Sequence, residues 1–207
     1  MIARANDGRL FLSWAEIAEA SDAPYFHIAE GDDWIAPAMI ARCVEALDAA
    51  PDAAFAFAAV EWIDVDDRVI ADHSGYPASV IGGDIAGGGE IAAERLLASD
   101  FVVKNPILTI SSVVWRREIL LDLIRANTSA LEQLGFAFDW LLYLRAAAAG
   151  HSAVFVPDLL CRHRQHADSF ASREDMAWHI AEIRTIHDLH PAPAADRRRT
   201  EYLASLG

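Results

Sequence analysis

Tyr25-Phe26-His27-Ile28-Ala29-Glu30-Gly31-Asp32-Asp33-Trp34-Ile35-Ala36-Pro37 runs into Met39-Ile40-Ala41-Arg42-Cys43-Val44-Glu45-Ala46-Leu47. Tyr25 to Ala29 has the composition of a short strand, and three acids in four residues then make a turn. Pro37 sits where the first turn of a helix tolerates proline, and Met39, Ile40, Cys43, Val44 and Leu47 line one helical face that ends near Pro51. Strand, acidic turn and helix in this order predict an α/β unit. Working outward, Ala53 to Val60 is nearly all apolar and suits a strand buried on both faces, and Asp64 to Arg68 reads as a turn before a short edge strand. Leu10, Trp14, Ile17 and Ala18 mark a helix ahead of the strand. Beyond it, glycine, proline and small residues predict a loop from His73 to Gly89. A helix follows near 90–98, then a strand at Ile110 to Trp115 and helices at Arg117 to Asn127 and Asp139 to Ala149. Strands at Ala153 to Val156 and Leu159 to Arg164, parted by a Pro157-Asp158 turn, precede two closing helices at Glu174 to Leu189 and Ala194 to Ser205. Mixed alternation of this kind belongs to the α/β class.

The 207 residues, 54% of them hydrophobic, suffice for one substantial core. No apolar run reaches the roughly 18 residues of a membrane span, which predicts a soluble, cytoplasmic protein, with peripheral association at the inner membrane still open. Cys43 and Cys161 read as buried free thiols. A formal net charge of -14 argues against nucleic acid as a partner. With Lys104 the lone lysine, a phosphorylated ligand would have to meet a few arginines or a divalent cation held on carboxylates.

Three constellations carry candidate chemistry. Glu30, Asp32 and Asp33 follow a buried strand, where ligands of open α/β sheets bind, and acids there can hold Mg²⁺ or Mn²⁺. The same acids also suit a helix N-cap. Asp139 opens a helix next to Trp140; it serves either as a cap or as a general base, with the helix end and burial pulling its pKa in opposite directions. In Cys161-Arg162-His163-Arg164-Gln165-His166, strand alternation puts Arg162, Arg164 and His166 on one face. That face is either a phosphate-binding strip with a metal-ligating histidine or a charged edge. One cysteine and two histidines at this spacing fit no common zinc pattern.

The order of these features resembles the family 2 glycosyltransferases of GT-A fold. The resemblance rests on Asn6-Asp7-Gly8, Tyr25, Glu30-Gly31-Asp32-Asp33-Trp34 with Pro37, Ser111-Ser112 leading to Arg116-Arg117, Asp139-Trp140, and Arg164-Gln165-His166 with Ser169. It implies a mixed sheet flanked by helices over residues 1–170 and a helical extension over 171–207. By the same resemblance Asp32 is the principal metal carboxylate and His166 a further ligand for Mg²⁺ or Mn²⁺. Glu30, Asp33, Trp34, Asn6, Trp140 and Arg164 are implied in substrate binding, and Asp139 as the base. The implied reaction is inverting transfer from a nucleotide-diphosphate sugar to a glycan acceptor in cell-envelope synthesis. Glu30 replaces the family's usual first aspartate, and Phe138 stands where an acid often precedes the base. The family's opening strands, which hold the nucleotide base, have no counterpart before Asn6. An exposed sheet edge is therefore expected, to be covered in a homo- or hetero-oligomer, and a non-catalytic module pairing through that edge is the alternative function.

Overall fold

The computed structural model describes residues 9–166 and 176–206. In chain order it contains α1 (Leu10–Glu19), β1 (Tyr25–His27), β2 (Trp34–Ile35), α2 (Met39–Ala49), β3 (Ala53–Ile63), β4 (Val69–Asp72), α3 (Tyr76–Ile81), β5 (Gly89–Ile91), α4 (Ala93–Ala98), β6 (Val113–Arg116), α5 (Arg117–Leu131), α6 (Phe138–Ala148), β7 (Ser152–Arg164), α7 (Met176–Leu189) and α8 (Asp196–Ser205). The strands form one mixed sheet in the order β1-β6-β3-β7-β2, with β4 added beside β3 and β5 beside β7.

β3 is the spine because its side chains alternate between two cores. Phe55, Phe57 and Ala59 enter the larger core with Trp115, Tyr143 and Phe155, whereas Ala56 and Ala58 face Met39, Cys43 and Leu47 of α2. Alanine on the α2 side lets that helix pack close to the sheet. On the other side, full burial of each phenylalanine ring contributes about 1.5–3 kcal/mol. Arg116, at the end of β6, donates to the carbonyl oxygens of Ala53, Leu47 and Ala50 at 2.9, 2.7 and 3.3 Å. The carbonyls left open at the C-terminus of α2 are thereby tied to the start of β3.

Two sequence expectations need correction. The stretch from His73 to Gly89 is not a single loop: it holds α3, with Pro77 in its first turn, then a 3-10 turn at Gly83–Gly87 and the start of β5. Nor does Pro157-Asp158 divide two strands. β7 runs unbroken alongside β3, with Val156 opposite Ala58 and Leu159 opposite Ala59, so the two residues between are a bulge in a continuous parallel ladder. A bulge bends its strand. The inner half of β7 pairs with β5 and its outer end with β2. Gly88, at φ 79°, lies under this bulge; a Cβ there would stand 2.4 Å from Pro157 Cδ.

The C-terminal helices share the larger core through Ile186 and Ala195. The buried Glu182 of α7 accepts the backbone N–H groups of Gly135, Phe136 and Ala137 at 2.7, 3.3 and 3.2 Å. These N–H groups belong to the turn that leads into α6, so Glu182 fixes the path of the chain just before the helix. Among the described residues no helix is long and apolar enough to cross a membrane.

Candidate functional site

β1 ends at His27, and the acidic turn carries the chain to β2, which pairs antiparallel with the outer end of β7. The register sets Trp34 opposite Arg162, so Asp33 falls beside His163. Asp33 Oδ1 accepts from His163 Nδ1 at 2.9 Å and from the Arg164 backbone N–H at 3.0 Å. The proton is placed on Nδ1 because an ionised carboxylate only accepts. Burial pushes the Asp33 carboxyl up, but the hydrogen bond and charge of His163, with help from Ser111 and Arg164, leave its pKa below the ordinary value. His163 answers in kind: burial lowers its pKa, and Asp33, Glu30 and Asp32 together raise it above the ordinary value.

Glu30 completes the group. Its backbone N–H donates to Ser111 Oγ at 2.9 Å, and its pKa is raised, chiefly by loss of solvation, with the Asp33 charge adding to it. Thr109 Oγ1 lies 2.9 Å from Glu30 Oε2 and 2.8 Å from Asp33 Oδ2, and it accepts the Ser111 N–H at 3.1 Å. A hydroxyl has one proton to give. That proton goes to one carboxylate, and the other is left to solvent at the exposed Glu30, to the His163 imidazole beside Asp33, or to a cation. Glu30, Asp33 and His163 each present a ligand atom, all within 4.8 Å of one another. Carboxylate oxygens with an imidazole are ligands a divalent cation accepts, and with Nδ1 engaged by Asp33, Nε2 is the His163 atom left for such an ion.

Asp139 lies in the first turn of α6 and is 8% exposed. Burial pushes its carboxyl up to about 7. The Trp140 N–H and the Asn105 side chain pull the other way, and the charge of Glu30 adds to the rise. Residues 109–111 bind the acidic turn, with Thr109 bridging Glu30 and Asp33 and Ser111 holding the Glu30 backbone, while Asn105 and Glu30 both act on the pKa of Asp139.

Other residues singled out in the sequence lie around this centre. Asp32 Oδ2 is 2.8 Å from His166 Nε2, on the more exposed side of the turn. Arg164 commits its guanidinium to the oxygens of Asp32, Asp64 and Asp67 at 2.8, 2.7 and 2.6 Å, clamping the acidic turn to the β3–β4 turn. Trp34 stands on the opposite sheet face, with the Arg162 guanidinium 4.8 Å from its ring centroid. Trp140 is a core residue whose Nε1 donates to the Phe101 carbonyl at 3.0 Å. Asn6 and Ser169 lie outside the described residues. Thr109 and Asn105 carry no sequence signal of their own, and the sequence does not single out His163, part of the Cys161–His166 stretch, over its neighbours. The register of β2 on β7 selects His163, and the irregular path after α4 brings in the other two.

Neither a family model nor a curated protein sequence matches this chain. Among solved structures the chain is similar to the crystal structure of S. aureus TarS 1-349 in complex with UDP, with a TM-score of 0.56 at 13% identity. The fold is a GT-A-like glycosyltransferase fold. The likeness covers 99% of this chain and 52% of the TarS chain, so this chain spans about half the length of that structure. At this identity the likeness concerns the fold alone.

Proposed function

We propose that this chain carries the catalytic site of an inverting glycosyltransferase of family 2 type, acting on a nucleotide-diphosphate sugar and a glycan acceptor in cell-envelope synthesis. On this reading the GT-A-like unit is residues 1–170 and the extension 171–207, whose described helices α7 and α8 lie against the larger core. One observation carries the reading: the buried Asp139 lies within electrostatic reach of Glu30, which with Asp33 and His163 forms a compact group of potential metal ligands. The UDP in the TarS structure favours a uridine diphosphate donor.

Asp139, with a pKa of about 7, is poised to take a proton at neutral pH. It accepts the proton of an acceptor hydroxyl while that oxygen bonds to the anomeric carbon of the donor. The bond from that carbon to the diphosphate breaks, and the diphosphate leaves with the electron pair. Glu30, Asp33 and His163, with Asp32 and His166 alongside, would hold Mg²⁺ or Mn²⁺, which would supply positive charge for the leaving diphosphate. Thr109 and Ser111 keep the carboxylates in place, and Asn105 orients Asp139.

Calorimetric titration with UDP, with and without Mn²⁺, tests the binding half, and release of UDP from a panel of UDP-sugars tests the chemistry. Metal-dependent binding that Asp33→Asn abolishes is the expected result. Absence of UDP binding by the wild-type protein, or unchanged binding in Asp33→Asn, refutes the reading. A second reading draws on β1, which ends the sheet and pairs with β6 alone among the described strands. Its other edge suits a strand from a partner chain in a non-catalytic assembly. A monomer by light scattering that binds UDP counts against that alternative.

A further inference from the structure

α6 carries a second polar group on the face that presents Asp139. Tyr143 follows Asp139 by one helical turn, and long helical side chains lean back over the turn before their own Cα, so its ring lies toward Asp139. The sheet fixes that ring. It stacks on Trp115 of β6, with centroids 5.4 Å apart and planes 10° from parallel, and the Phe55 ring of β3 is 4.9 Å away. The packing that buries the ring leaves the hydroxyl with nothing to bond: Tyr143 is 0% exposed, and its Oη is shielded from solvent and has no hydrogen-bond partner.

Phenylalanine would fill the same apolar space without orphaning a donor, so the hydroxyl calls for a partner that this arrangement does not supply. Two acids act on it. Burial raises the Tyr143 pKa well above its ordinary value, and the charges of Asp139 and then Glu30 add to the rise. The hydroxyl therefore keeps its proton while Asp139, at about 7, changes charge. An ionised carboxylate has no proton to give and about four places at which to accept one. The Trp140 N–H, the Asn105 side chain and the N–H of Asp139 itself favour that ionised form, and together they leave room for a further donor.

We propose that Tyr143 is a positioning residue for Asp139: its hydroxyl donates to the carboxylate once that group is ionised, and so fixes the direction in which the base meets the acceptor hydroxyl. The stack on Trp115 holds the ring, so the carboxylate turns to it by rotation about its own side-chain bonds. Fully buried, Tyr143 acts through Asp139 and not on substrate. Glu30 is the other acid within electrostatic reach, but Thr109 and Ser111 hold it in the acidic turn, whereas Asp139 shares the helix face of Tyr143. For its part in catalysis the inference rests on the sugar-transfer reading; the hydrogen bond itself does not.

Urea denaturation of wild type, Tyr143→Phe, Asp139→Asn and the double variant, at about pH 5 and pH 8 without added metal, reads the bond as a double-mutant cycle. At the lower pH Asp139 is protonated, and Tyr143→Phe leaves the folding constant near that of wild type. At the higher pH it lowers the constant about tenfold, the effect of losing a hydrogen bond to a charged group. The hydroxyl favours the ionised form, so its loss is felt only as pH rises through the Asp139 pKa of about 7. In the Asp139→Asn background the effect of Tyr143→Phe is the same at both pH values. Glu30, the charged group facing the pair from outside α6, is common to all four proteins and largely cancels. A Tyr143→Phe effect that does not change with pH, or that changes equally in the Asp139→Asn background, overturns the inference. In UDP-sugar turnover, Tyr143→Phe moves the limb that rises with pH upward by about one unit and lowers kcat at neutral pH about fivefold with KM unchanged, a pattern that a loosened fold does not give. Turnover with an unmoved limb and a flat cycle refutes the role of Tyr143 and leaves the transfer reading standing. A pH-dependent cycle in a protein that turns over no UDP-sugar keeps the hydrogen bond and removes the transfer reading.

Discussion

Replacing Asp139 by asparagine should flatten the dependence of stability on pH. In the folded chain the Asp139 carboxyl is pushed from the ordinary 3.8 to about 7, mainly by burial against α6 and its neighbours. The groups facing it are the Glu30 carboxyl, which strengthens the shift, the Asn105 side chain and Trp140 N–H, which oppose it, and the neighbouring Tyr143 hydroxyl. A raised pKa means that the folded state holds the proton more tightly than the unfolded chain. The resulting stability is fully present below about pH 4 and is lost as pH rises through about 7. At 1.36 kcal/mol per pH unit, a displacement of about three units amounts to about 4 kcal/mol. Asparagine keeps an oxygen to accept the Trp140 N–H and cannot ionise. At pH 4 the two proteins should therefore have similar stability, and by pH 8 Asp139→Asn should be the more stable by up to about 4 kcal/mol, on the order of 10 °C in Tm. Urea denaturation of both proteins at each pH from 4 to 8 gives the difference curve directly, and titrating groups common to both, the histidines included, largely cancel in it. A flat difference curve, or one that rises toward acid, refutes the assignment of a buried, proton-holding Asp139.

The base role makes its own demand: UDP-sugar turnover should rise with pH through an apparent pKa near 7 and fall at least 100-fold in Asp139→Asn, so a pH profile with no limb near 7 counts against it. Thr109→Val removes the hydroxyl shared by Glu30 and Asp33 and should weaken Mn²⁺ binding about 10–100-fold by calorimetry. Glu182→Ala leaves three N–H groups in the turn before α6 without their acceptor and should cost about 3 kcal/mol in urea denaturation. Gly88→Ala, with a positive φ and a Cβ that would press on Pro157, should cost about 1–3 kcal/mol; Gly83→Ala, with nothing near its Cβ, should change stability by less than about 0.5 kcal/mol.

The apolar run of β3 and the strand–turn–helix at Glu30 to Asp33 are legible in the sequence, as are helices α1 and α2, but their buried faces are only partly so: α1 buries Phe11, Trp14 and Ala18 and leaves Leu10 and Ile17 exposed, and α2 buries Met39, Cys43 and Leu47 and leaves Ile40 exposed. The helix from Phe138, with Asp139 in its first turn, is likewise legible. Local pattern also exposes the acidic turn as a candidate site, but it does not rank its members. Asp32 and Asp33 are neighbours in the chain; tertiary structure sends one out to His166 and buries the other against His163, 130 positions away. A strand shows its own alternation and nothing of its partner's register, so the ladder between β2 and β7 is decided when the sheet forms. The same holds for Glu182, which from α7 holds the turn leading into α6, and for the bulge at Pro157-Asp158, which reads locally as a turn until β3 holds both halves of β7 in one ladder. Sequence alone determined which segments could be strands, helices and acidic turns. Contacts between distant segments decided which side chains are buried, charged and within reach of one another, because burial and hydrogen bonding are properties of neighbours that the chain order does not contain.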